Sequence, residues 1–449
     1  MPGYANWKML FDAEYLQMQE EGYDMHGLPV YDGDGTRLLP FPGCESPETD
    51  GDLWEKAYWQ LAERLGGPLR EDYPYVEPND FDTILACASP APILRPLADE
   101  AYLDRLRGAL YGRVAAVILG KPLEMGLNAH GVRRYLEGAD AWPLTDFIPA
   151  SSPGSGMNAR SDCIPSTKGN VRFAQSDDDI HYTLLAMLLA ERYGLQFTPE
   201  QVGWNWMDNI AYHWCWCASR QAYYHMVNQV PVEKIPTFLN PWRECIDGQI
   251  RTDLWGYIAP GDLQKAALGA YRDCAFSLTK NGIYGGMFTA GCIAAAMTET
   301  PTVDSILDGG LSVIPQNSRL AEMVRTVRLW YRETPDRDTV CERIWERWGH
   351  LPFAATINNM AIVVLAILDG NLDYSRTITA AVCCGLDTDC NAGTAGSIIG
   401  AAVGIGNIDE KWYAPLNDIL KTAVASVGEI SVSEVVSRIH TIYQNLREQ

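Results

Sequence analysis

Positive charge is what this chain has least of: 35 lysines and arginines stand against 57 aspartates and glutamates, a formal net charge of −22. That balance repels phosphate backbones and argues against nucleic acid as the main partner. No C-x-x-C pair occurs among the 12 cysteines, so a zinc ribbon is not expected. Several cysteines, Cys274, Cys292, Cys383 and Cys384 among them, fall inside apolar helical stretches and read as reduced thiols. The seven histidines include no H-x-x-x-H pair. Long apolar runs are missing as well; Met360–Leu368 is too short to span a bilayer. The opening MPGYANWKMLFDAEY has no basic segment followed by an apolar one, so no signal peptide is expected. A cytoplasmic protein working away from membranes follows as the expectation.

What is present describes a folded chain. Apolar residues make up 47% and charged ones 20% of 449 residues, enough for a sizeable core. Residues 1–100 are acidic, aromatic and turn-rich, with a helix expected over Asp52–Leu65 that ends at Gly66-Gly67-Pro68. They read as an irregular arm packing on the main body, or as a lid on the active site or a subunit interface. From Ala101 to residue 449 the pattern is helical, period-2 alternation is scarce, and no fixed-period repeat occurs. Helices are expected over Tyr102–Leu119, Asp179–Tyr193, Asp262–Leu278, Tyr284–Met297, Arg319–Tyr331, Arg337–Trp348, Ile357–Leu368, Tyr374–Cys384, Asn391–Gly404, Trp412–Ser426 and Val432–Leu446. The main body is therefore expected to be one all-α domain.

Gly396, Gly400 and Gly404 recur at every fourth position of one expected helix. Glycine costs about 1 kcal/mol per interior helical position relative to alanine, so three of them call for very close neighbours. Just ahead lies GLDTDC, with Asp387 and Asp389 followed by Cys390. Alone, this is an ordinary acidic helix start. A second acidic turn, Ser176-Asp177-Asp178-Asp179, precedes another apolar helix. One carboxylate caps a helix; three repel one another, and the helix dipole relieves only about 0.3–1 kcal/mol per group. Facing turns would make an oxygen-rich site for one or two Mg²⁺ ions, with Mn²⁺ or Ca²⁺ as alternatives.

Further candidates carry weaker patterns. Asn281–Gly286 (NGIYGG) reads either as a glycine-rich turn that cradles ribose or phosphate, with Asn281, Gly282, Tyr284 and Gly285 as contacts, or as a plain turn. His350 precedes an expected helix and is a candidate for lining the pocket. Trp204, Trp206, Trp214 and Trp216 read first as core, with base stacking as the alternative.

The two acidic turns, in this order, resemble those of the ADP-ribosylglycohydrolase superfamily, in a divergent bacterial branch. Its T/S-D-D turn corresponds to Ser176-Asp177-Asp178, and its G-x-D-T-D turn to Gly385-Leu386-Asp387-Thr388-Asp389. Its early G-D-A-L-G-x-P-x-E segment is echoed by AVILGKPLE, which keeps Gly120, Pro122 and Glu124. The resemblance spans roughly residues 101–430. It departs at three places: Val117 stands for an aspartate, Cys390 for a hydroxyl ligand, and Lys280 for a histidine.

The resemblance implies a compact multi-helix orthogonal bundle and a binuclear magnesium site. It also implies hydrolysis of an N- or O-ribosyl bond on a small-molecule or protein-linked substrate, through an oxocarbenium-like state. Asp177, Asp178, Asp387 and Asp389 are implied metal ligands; Ser176 adds an oxygen, and Cys390 occupies the remaining position. Asp177, Asp178 and Glu124 are the implied catalytic carboxylates, without distinguishing which is the base. A catalytically altered module that binds ADP-ribose or a nucleotide is the alternative, and a homo-oligomer stays open.

Overall fold

The computed structural model describes residues 6–25 and 51–448. The turn-rich stretch 26–50 of the arm lies outside them. Among the described residues the architecture is helical, with two small two-stranded antiparallel sheets.

Two helices form its axis. Thr388–Val403 is buried from its first residue to Ala402, and Asp99–Gly120 packs along it. Their backbones almost touch: a Cβ on Gly108 would lie 2.4 Å from the Gly400 carbonyl oxygen, and one on Gly112 would lie 2.7 Å from that of Gly396. The cost of helical glycine is thus offset by close packing along the expected face. Gly404 also meets Gly108, whose added Cβ would lie 2.7 Å from the Gly404 Cα. Gly404 ends the helix in a positive-φ conformation (φ 76°), beside the Asp104 carboxylate.

Arg113, midway along the first of these helices, is wholly buried. Its guanidinium pairs with Asp179 at 3.1 Å and with Asp253 at 3.0 Å. This ties the start of a third helix, Asp178–Tyr193, to the central pair. Removing one partner of such a buried set costs about 3–5 kcal/mol.

The expected helices of the main body appear with small shifts at their ends, except one. Trp412–Ser426 is instead a short helix, Glu410–Tyr413, then a 3-10 turn and a hairpin pairing Ile419–Lys421 with Glu429–Ser431. Pro415 and the left-handed Asn417 and Asp418 (φ 51° and 59°) break the helical register. Four helices of nine to eleven residues in the main body are not among those expected: Ala129–Gly138, Pro199–Asn209, Cys217–Val227 and Val303–Leu311. The second of these has a full capping box from Thr198 and Gln201.

The arm contributes helices Trp7–Glu20 and Gly51–Ala62, with a small core of Phe11, Tyr15, Met18 and Trp54. Buried ions fasten it to the body. Arg243 bonds Glu14 and Glu21, each at 2.7 Å, and Arg319 bridges Glu77 at 2.8 Å and Glu244 at 2.7 Å.

Candidate active site

Each acidic turn is aimed by a different piece of backbone. Gly385 and Leu386 are both left-handed (φ 79° and 58°), and a Cβ on Gly385 would lie 2.3 Å from the Leu127 carbonyl oxygen. This turn swings Asp387 to the N-cap of the central helix. The other turn is held by the hairpin missing from the sequence reading. Ala174 N–H donates to the Ile419 carbonyl at 2.8 Å, and Ser176 Oγ donates to the Lys421 carbonyl at 2.9 Å. Asp177 then caps the next helix, accepting from Asp179 N–H at 3.0 Å.

The two turns share one cleft of about 600 Å³. Ser176, Asp177, Asp178, Asp387, Asp389 and Cys390 all border it, as does Glu124. Carboxylate oxygens of Glu124, Asp387 and Asp389 lie within 4.8 Å of one another, as do those of Asp177, Asp178 and Asp179.

The charges in this cleft are unequally balanced. Burial alone would raise the Asp177 carboxyl, but the paired Lys121 ammonium outweighs it and holds it below the usual range. Burial, then the charges of Asp177 and Asp389, push Asp178 well up. Asp387 is pushed up by burial, Asp389 and Glu124, and its buried Oδ1 has no hydrogen-bond partner. Half-buried beside Asp389, Glu124 is raised to about 10 by desolvation and that neighbouring charge, despite its ion pair with Arg160. A compact set of carboxylates that resists ionisation, with an orphaned oxygen among them, suits a hard divalent cation. The residues therefore fit the cation that this set implies.

The Cys390 sulfur lies within 4.8 Å of carboxylate oxygens of Asp179 and Asp389, and it is already engaged. The thiol, raised well above its ordinary value by burial and Asp179, donates to Asp179 Oδ2 at 3.1 Å. Asp179 in turn leans on Arg113. A hydroxyl or thiol donor is what this position supplies.

The proposed ribose cradle is not at the cleft. Asn281, Gly282, Tyr284 and Gly285 sit in the first turns of a buried helix, Lys280–Ala296, and none of them lines the cavity. Asn281 Nδ2 donates to Glu77 at 2.8 Å, and the Tyr284 hydroxyl donates to the Pro78 carbonyl. Gly285 makes room for Thr356, whose Cγ2 would lie 2.6 Å from an added Cβ. NGIYGG therefore helps fasten the segment around residues 77–78. The apolar face of that helix already runs through Asn281–Gly286, so no turn forms there. His350 is exposed and lies 3.3 Å from Glu20, away from the cleft. Lys280 pairs with Glu21 at 2.8 Å.

Other residues took their place. Lys121, Arg160, Trp214, Trp216, Phe353 and Asp247 border the cleft. Of the four tryptophans, Trp206 is core, while Trp214 and Trp216 are cleft wall and Trp216 is 50% exposed. The signal for Lys121 was its place inside LGKPLE, between two motif residues. The tryptophans had no signal beyond their clustering.

Fold and site together define an all-α protein built round paired carboxylate turns. The chain belongs to the ADP-ribosylglycohydrolase family, whose model matches residues 98–443. Membership supports a glycohydrolase-type function. No curated protein sequence matches the chain. Among solved structures it is similar to an "ADP-ribosylglycohydrolase-related protein complex", at 16% identity and a TM-score of 0.46, over 77% of this chain and 99% of that one.

Proposed function

We propose that the chain is a divalent-cation-dependent hydrolase, with Mg²⁺ as the first choice, that cleaves an N- or O-ribosyl bond. The observation that carries this reading is the orphaned, buried Asp387 Oδ1 among carboxylates from two helix starts facing one cleft. When bound, the cation supplies an anchor for ribose hydroxyls and an acidified water.

The chain's own residues do the rest. Asp178, Asp387 and Asp389 would hold the cation and so set the orientation of the sugar. Asp177, neutralised by Lys121, keeps the turn in place. Glu124, paired with Arg160 at the edge of the cleft, would take the proton of the attacking water once the charge of the cluster is offset and its own carboxyl is ionised. Trp214, Trp216 and Phe353 offer flat apolar surface to a planar leaving group and exclude water from it. A cleft of about 600 Å³ has room for a nucleoside or an ADP-ribosyl group.

A second reading, binding without turnover, draws on Lys121 and Cys390, which occupy partners that a second ion would use. One experiment separates the two. ADP-ribosyl-arginine, ADP-ribosyl-serine and free nucleosides are incubated with the full chain in Mg²⁺ or in EDTA, and released ribose or ADP-ribose is measured. Mg²⁺-dependent release abolished by Asp387→Asn supports the hydrolase. Saturable Mg²⁺-dependent binding with no release from any compound supports the binding module.

A further inference from the structure

A second donor set stands in the wall of the same cleft, and it is of opposite chemical character. The Sγ atoms of Cys217 and Cys245 and a carboxylate oxygen of Asp247 lie within 4.8 Å of one another. The two sulfurs stand side by side and belong to no disulfide. Cys245 and Asp247 are 5% and 4% exposed, whereas Cys217 is half-buried and borders the cavity together with Asp247.

Each donor is held from behind. Cys217 opens the helix Cys217–Val227. Cys245 is fixed by its own backbone: its N–H donates to the Trp242 carbonyl at 2.9 Å, and its carbonyl accepts from Thr356 Oγ1 at 2.8 Å. Asp247 takes both bonds from Ser219, N–H and Oγ, on the single atom Oδ1. Ser219 Oγ also accepts from Arg251 at 3.2 Å. A carboxylate oriented by a hydroxyl and a backbone N–H is the kind of support that metal-binding side chains use.

A helix cap accounts for Asp247 but not for two sulfurs meeting beside it. A bare dithiol accounts for the sulfurs but not for a carboxylate, which repels thiolates. A cation accounts for all three. Two sulfurs and one oxygen are soft and borderline donors, suited to Zn²⁺ and unsuited to Mg²⁺.

We infer that Cys217, Cys245 and Asp247 form a site for one thiophilic divalent cation, Zn²⁺ foremost, with its fourth position open to the cleft. Binding is balanced by loss of two protons: each thiol gives one to buffer as its sulfur becomes a thiolate ligand. The site is independent of the acidic cluster, so it stands or falls separately from the hydrolase reading.

Co²⁺ is the probe, because thiolate ligands give it a near-ultraviolet charge-transfer band that carboxylates do not. The reduced full chain, stripped with chelator, is titrated with Co²⁺. Expected are saturation of that band at one equivalent, its displacement by Zn²⁺, and release of two protons. Cys217→Ser and Cys245→Ser should each lose most of the band. Asp247→Asn should weaken binding at least tenfold while keeping a sulfur band, and Cys390→Ser should leave the titration unchanged. No band in the reduced wild-type chain overturns the inference. So does a band that survives both cysteine variants, or one that Cys390→Ser removes.

Discussion

The Lys121 ammonium is paired with the Asp177 carboxylate inside the cleft, and the two come from different helices. A fixed cation thus already sits at the edge of the acidic cluster and neutralises one of its charges. Lys121→Met leaves the buried Asp177 carboxylate without its cation, a loss of about 3–5 kcal/mol. Thermal melts in EDTA should fall accordingly, and added Mg²⁺ should restore more of the loss than it adds to the wild type. Equal Mg²⁺ shifts in both proteins would mean that the ammonium and the cation do not share the cluster.

Asp387→Asn and Asp178→Asn should each reduce turnover at least about a hundredfold, as expected for lost electrostatic groups in a dry site. Neither should unfold the chain. In EDTA both should raise the melting temperature, because burial and like charge disfavour ionisation at these positions. Circular dichroism melts beside the ribose-release assay check both halves.

The same shifts set a pH dependence. Asp178, Asp387 and Glu124 hold protons in the folded chain at pH values where the unfolded chain has released them. Native protein therefore binds more protons, and stability falls as pH rises above the ordinary carboxylate range. Burial depresses His181 and His225 to about 4, so each lowers stability only below the ordinary histidine value. Lys121 is raised and contributes fully below its unfolded pKa, and Asp177 is lowered and contributes above its own. Neither adds slope near neutrality. Between about pH 7 and 9 in EDTA, stability should drop by as much as about 1.4 kcal/mol per unit from Glu124, with Asp178 and Asp387 acting in the same direction. Saturating Mg²⁺ should flatten the curve; an equally steep curve with Mg²⁺ would argue against the cation site.

Cys390 serves Asp179, so a small donor should replace it. Cys390→Ser should keep stability within about 1 kcal/mol, while Cys390→Val, which cannot donate, should lose about 1–3 kcal/mol. Mg²⁺ affinity should stay the same in the serine variant. A marked tightening would show that the side chain turns to the ion instead.

Arg243 holds two glutamates of the arm at once. Arg243→Met should destabilise by about 3–5 kcal/mol and make the first 25 residues sensitive to protease. Resistance equal to the wild type would mean that apolar contacts alone fasten the arm.

The helical body was legible because apolar periodicity is strong, and helices such as Arg337–Trp348 appear with the bounds expected. The two acidic turns were legible because each holds more negative charge than a cap requires. Lys121 was not, since nothing local says that a lysine at a helix end turns inward. The hairpin at Ile419–Lys421 was hidden by an apolar pattern that also suits a helix, and only the left-handed Asn417 and Asp418 decide it. NGIYGG misled because its glycines serve neighbouring side chains and backbone, not a ligand. Trp214 and Trp216 could not be sorted from Trp206 without knowing which face of the chain looks into the cleft.

The glycine seam has a consequence for how this site can change. Gly120 ends the first helix against the Thr388 carbonyl, 2.3 Å from where its Cβ would be. Lys121 and Glu124 are thereby registered against Asp387 and Asp389 by close main-chain contact, with Thr388 Oγ1 donating to the Gly120 carbonyl at 2.8 Å. Side chains at positions 121 and 390 can be exchanged, ammonium for neutral group or thiol for hydroxyl, without moving the frame that presents them. Such a frame lets one scaffold drift between ion counts and substrates by single substitutions, while any substitution in the seam itself dismantles every version at once.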